Sequence, residues 1–127
     1  MFVIGELING MYTNVRKAII NKDKIAIQDL AKKQVASGAD ALDVNVGPSS
    51  QNPIEAIEWL CNIIQDVVDV PLCIDSTKFE VIEAGLKKAK RSAIINSTSA
   101  DDKRLKEYLA LSRRFIARLI GLPLDED

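Results

Sequence analysis

Four apolar runs, each reaching a carboxylate or carboxamide near its end, set the tightest limit on what this chain can fold into. Val3-Ile4-Gly5-Glu6-Leu7-Ile8-Asn9 ends in an amide, and Ala41-Leu42-Asp43-Val44-Asn45-Val46 carries both group types. Leu72-Cys73-Ile74-Asp75 runs straight into Ser76-Thr77, and Ala93-Ile94-Ile95-Asn96 into Ser97-Thr98. Short apolar runs bounded by turn residues and separated by helix-length stretches read as buried strands of a parallel sheet wrapped by helices. The polar groups then gather at one end of the sheet.

The intervening segments carry helical signals. Val15 to Ile20 gives one or two turns. Asp23 is placed to cap a helix with Ile27, Leu30, Ala31 and Val35 on one face, ended by Gly38. Asn52, Pro53 and Glu55 form a capping-box pattern ahead of Ile54, Ile57, Leu60, Cys61, Ile64 and Val68. Ser76 or Thr77 is expected to cap a helix through Lys88 with Phe79, Ile82 and Leu86 inward. Asp101 opens a helix bearing Leu105, Tyr108, Leu109 and Phe115, and Ala117 to Leu122 reads as a fifth strand.

This alternation predicts an α/β fold with five parallel strands and four main helices. Two layouts fit, a doubly wound open sheet or the N-terminal half of a TIM (β/α)8 barrel. Polar groups at the ends of successive strands favour the barrel, since an open sheet works mainly at one switch point. A closed barrel takes about 250 residues, and this chain has 127.

Composition narrows the chemistry. A net charge of -1 with dispersed lysines and arginines offers no basic stripe for nucleic acid. No apolar run approaches the ~20 residues that span a bilayer, and no charged segment precedes the apolar N-terminus, so a cytoplasmic protein is expected. Cys61 and Cys73 lie in apolar stretches without a partner motif and read as buried thiols. There is no histidine, which removes the commonest metal ligand and general base. No metal cluster, glycine-rich phosphate loop or nucleophile-base pair is visible.

The stretches Gly5 to Gly10, Gly38 to Gly47, Cys73 to Thr77 and Ile95 to Thr98 resemble, in order and spacing, the methyltetrahydrofolate:corrinoid/iron–sulfur protein methyltransferases. These belong with dihydropteroate synthase and the folate domain of cobalamin-dependent methionine synthase in a pterin-binding barrel superfamily. Ile8-Asn9-Gly10-Met11-Tyr12 stands where the synthase resemblance would call for an Asn-Val-Thr-Pro-Asp-Ser-Phe-like segment, which favours methyl transfer over pterin synthesis. The resemblance implies an enzyme moving a methyl group from 5-methyltetrahydrofolate to the cobalt of a corrinoid (cobalamin) on a partner protein. It also implies that residues 1–127 are one pterin-binding domain cut to a half-barrel, because the family barrel continues through three further strands. Those strands carry another pterin-binding aspartate and a catalytic asparagine.

The resemblance assigns pterin binding to Asp75 and Asn96. A carboxylate suits the N–H edge of a reduced pterin, and an amide both donates and accepts. The plain alternatives are a helix cap and a loop amide. Asp43 and Asn45 alternate with apolar neighbours and share one side of their strand, so they are expected to support the pocket or to satisfy loop amides. Asn9 and Glu6 complete the candidate set, with Glu6 also able to pair a lysine. Cys73 alternates with Asp75 and reads as packing. Lys87 to Arg91 is a solvated helix end suited to the dipole. A competing reading is a non-catalytic half-barrel whose edge strands, first and fifth, pair with a second copy in a homo-oligomer.

Overall fold

The computed structural model describes residues 1–48, 50–96 and 101–120. The expected hydroxyls Ser97 and Thr98, Ser49, and everything after Ile120 lie outside the described residues. Elements follow in the order β1 (Ile4–Asn9), α1 (Thr13–Ile20), α2 (Lys24–Ala36), β2 (Ala41–Asn45), α3 (Pro53–Gln65), β3 (Leu72–Asp75), α4 (Phe79–Lys88), β4 (Ile94–Asn96), α5 (Asp102–Phe115) and β5 (Arg118–Ile120). The one or two helical turns expected over Val15 to Ile20 are the eight-residue helix α1, which with the four main helices brings the described helices to five.

All neighbouring strands pair in parallel, in the order β1-β2-β3-β4-β5. A doubly wound sheet would seat β1 between later strands and cover both faces with helices. Here Leu42, Val44, Leu72, Ile74 and Ile95 pack with Ile27, Ala31, Ile57, Leu60, Ile64 and Ile82 from the helices. On the opposite face Ala41, Cys73 and Ile94 form a separate apolar cluster, flanked by Ile4 and Ile120 and containing no helical residue. Sequential order with helices on one face is a partial TIM barrel, and the helix-free face is its interior.

Most expected inward residues are buried, but Ile54 of α3 is exposed. It lies on the turn next to the β2–α3 loop, where the apolar stripe has yet to meet the sheet. Cys61 and Cys73 are buried free thiols.

Caps explain where the helices start. The Asp23 carboxylate accepts from Ala26 N at 3.2 Å, and that of Asp101 from Arg104 N at 2.8 Å. Asn52 occupies the position before Pro53 as expected, but its side chain donates to Glu55 Oε1 at 3.3 Å instead of capping a backbone amide. Neither Ser76 nor Thr77 caps α4. The cap position falls on Lys78, because the Ser76 hydroxyl has already accepted from Lys78 N at 3.0 Å and closed a turn ahead of the helix.

The basic run after α4 is a clamped helix end. Gln65 holds it from α3, donating to the Lys88 carbonyl at 2.9 Å and accepting from Lys90 N at 2.7 Å.

At the end of α5 the chain turns through Ile116 with φ 53°, a left-handed conformation that disfavours a β-branched side chain. Ile116 is 81% exposed, so little packing offsets that cost. Replacing it with glycine should therefore stabilise the domain by about 1 kcal/mol, measured as a rise in the urea midpoint. An unchanged or lower midpoint would contradict the argument.

Candidate functional site at the ends of the strands

The rim begins with a distortion. Gly5 pairs with Leu42 and Ile8 with Val44, so β1 spends three residues where β2 spends two, which is a β-bulge. The freed Leu7 N–H donates to Gln34 Oε1 at 3.1 Å. A Cβ on Gly5 would stand 2.4 Å from that same oxygen, so glycine makes room for the glutamine. Simple alternation would send residues 6 and 9 to opposite faces. With the extra residue, Ile8 enters the helix-side core, and Asn9 pairs with Asn45. The charge of Glu6 reaches Cys73 on the helix-free face.

Asn9 and Asn45 both spend an oxygen on shaping the loops. Asn9 Oδ1 accepts from Met11 N at 2.9 Å and Asn45 Oδ1 from Gly47 N at 2.8 Å. The two loops then touch through glycines, with Gly10 N donating to the Asn45 carbonyl at 2.8 Å. A Cβ at Gly10 would lie 1.8 Å from the Val46 carbonyl oxygen, and one at Gly47 would lie 2.8 Å from Gly10. Gly47 also holds φ 88°, open mainly to glycine. Glycines 10 and 47 had been read only as loop and motif residues. Their spacing after Asn9 and Asn45 is the signal for this crossing.

Asp43, Asp75 and Asn96 come together on the helix-free face. Asp75 and Asn96 are register partners of β3 and β4, while Asp43 pairs with Cys73 on β2. Asn96 Nδ2 donates to Asp43 Oδ1 at 3.4 Å, spanning β3. Asp43 is 3% exposed, and its carboxyl lies within hydrogen-bonding reach of Asp75 and Cys73. Burial first, and then the charge of Asp75, hold the Asp43 pKa up at about 7, while the hydrogen bonds from Asn96 and Cys73 pull the other way. Burial and the Asp43 charge push the Cys73 thiol far above its ordinary range. None of the five described strands contains a lysine. Their one arginine, Arg118, turns its guanidinium over Phe2 at 5.1 Å. The cluster is thus rich in acceptors, and no cation of the described strands is directed at it.

A cleft of about 330 Å³ opens beside Asp75, lined by Asn45, Gly47, Ser76, Lys78 and Met11 among others. Sequence reasoning had used Met11 only within the Ile8 to Tyr12 segment and had passed over Lys78, which carries no motif of its own. A second cleft of about 380 Å³ lies between α1 and α3, with Arg16, Lys22 and Glu55 on its walls and no strand-end carboxylate. Among the described residues no group of three or more histidine, cysteine or acidic side chains is placed to hold a metal.

A family model described as pterin binding enzyme matches residues 13–122. The chain belongs to that family. As a pterin-binding enzyme family member it is 36% identical over 111 residues to a methylcorrinoid:tetrahydrofolate methyltransferase of Eubacterium limosum, across 87% of this chain and 41% of the relative. The chain thus spans about two fifths of the length of the curated relative it matches. Within the described residues of this family member, no helix is long and apolar enough to cross a membrane.

Proposed function

We propose that this chain supplies half of a tetrahydrofolate site, and that the site serves methyl transfer from 5-methyltetrahydrofolate to the cobalt of a corrinoid on a partner protein in the cytoplasm. The observation that carries this reading is the acceptor-rich cluster of Asp43, Asp75 and Asn96, at which no cation of the described strands is directed. Such a cluster suits a ring that presents N–H donors. The Eubacterium relative's name writes the exchange with methylcorrinoid as donor. The ring must be held the same way in either direction, because one transition state serves both.

In this reading the Asp75 carboxylate accepts from ring and amino N–H groups, and Asn96 takes the neighbouring mixed edge. The loops crossing at Gly10 and Gly47 fix the cleft wall beside the ring. A tertiary amine leaves only when its nitrogen is protonated or strongly hydrogen-bonded as the bond breaks. That assistance is assigned to strands outside residues 1–127.

Calorimetric titration with 5-methyltetrahydrofolate, and absorbance of a reduced corrinoid acceptor, test the reading. The 127-residue chain should bind weakly and transfer little, because a divided site loses far more than half its effect. The chain continued through the remaining family strands should bind, and Asp75→Ala should weaken it roughly 10- to 100-fold, as for a lost hydrogen bond to a charge. An extended chain indifferent to Asp75→Ala would end the assignment.

Phe2, Val3, Leu7, Met11 and Tyr12, all exposed along or beside edge strand β1, favour a second reading in which two copies pack through these side chains. Size-exclusion chromatography distinguishes this homo-oligomer from a monomer.

A further inference from the structure

We propose that Asp43 and Asp75 share one proton, and that Asp43 is the protonated, positioning partner that holds the Asp75 carboxylate in place for its ligand. The hydrogen-bond inventory supports this. Asp43 Oδ1 accepts from Asn96 Nδ2, and the Asp43 carboxyl also lies within hydrogen-bonding reach of Asp75, two residues beyond its register partner Cys73 on the same face of β3. Two carboxylates have only acceptors to offer each other, so that contact needs a hydrogen. A protonated Asp43 meets both demands at once, with a carbonyl oxygen toward β4 and a hydroxyl toward β3. The resulting chain runs from Asn96 through Asp43 to Asp75, which lines the cleft.

The surroundings favour keeping that proton. Asp75 and Cys73 face Asp43 from β3, uncharged Asn96 from β4, and Glu6 lies on β1 beyond Cys73. On β5, Arg118 is directed to Phe2. Among the described residues the neighbours of Asp43 are thus acids, an amide and a thiol, and a second negative charge here would meet the first in a buried setting.

The pair is distinct from the pterin assignment, whereas its positioning role rests on that assignment. Carboxyl carbon NMR of the 127-residue chain, titrated from acid to alkaline pH, reads the pair without any ligand. One buried aspartate should stay protonated up to about pH 7, its signal should vanish in Asp43→Asn, and it should titrate at lower pH in Asp75→Asn. An Asp43 signal that titrates like an exposed aspartate, or one unmoved by Asp75→Asn, would overturn the shared proton.

Pterin affinity then reads the positioning. In the chain carrying the remaining family strands, affinity should fall about tenfold per pH unit above the midpoint, because the competent form falls in that proportion. Asp43→Asn can donate permanently and should bind with a flat profile, while Asp43→Leu should not bind at either extreme. A flat wild-type profile would overturn the role. Absence of pterin binding at every pH, with the NMR signature intact, would reject the functional assignment and uphold the pair.

Discussion

The stability of this domain should fall as pH rises from about 4 to about 7, by an amount that Asp43→Asn removes. The native pKa of Asp43 is raised to about 7 from an ordinary value of 3.8, first by burial and then by Asp75. Below the unfolded value both states are protonated and the group is neutral in effect. Between the two values the unfolded chain releases a proton that the native chain retains, so the native state loses ground with each unit. Above the native value both states are ionised and the loss is complete. At 1.36 kcal/mol per unit the difference approaches about 4 kcal/mol. Urea unfolding of wild type and Asp43→Asn at pH 4.5 and 8 isolates it, because the other titrating groups are common to both proteins. A gap between the two proteins that stays constant with pH would refute the expectation.

Gly10→Ala should be nearly as damaging, at about 3 kcal/mol, the upper end of overpacking costs. The added methyl group would meet the Val46 carbonyl oxygen at 1.8 Å, and backbone cannot move aside as a flexible side chain can. The β1 and β2 loops would have to separate, breaking the Gly10 N to Asn45 carbonyl bond and shifting the wall of the cleft beside Asp75. Thermal unfolding gives the stability and proton NMR of the loop amides gives the displacement. A variant with native stability and unshifted Gly47 and Met11 amides would show that the crossing has more slack than its geometry implies.

Much of this architecture was legible before any coordinates. The four apolar runs predicted parallel strands in sequential order, and their polar ends placed Asp75 beside Asn96 because register follows from alternation between neighbouring parallel strands. What escaped reading depends on contacts between distant segments. The bulge in β1 leaves only Gly5 as a trace in Gly5-Glu6-Leu7-Ile8, since the group that takes up its freed amide is Gln34 on α2. The start of α4 at Lys78 turns on which amide the Ser76 hydroxyl takes first. Asp43 could be placed on a face by its spacing. Its proton could not, because that requires knowing that Asn96 reaches it across an intervening strand.

The bulge in β1 also bears on how readily the outer side of that strand accepts another. A straight, apolar edge strand is a template on which other chains can add. In β1 the ladder breaks between Gly5 and Ile8, the Leu7 amide is already taken by Gln34, and Glu6 puts a charge at the break. An incoming strand would find its hydrogen-bonding partners out of step within three residues and a carboxylate in the gap. The irregularity that aims Asn9 at the site therefore also works against amyloid-like growth along that edge, and straightening it would expose the chain to both losses together.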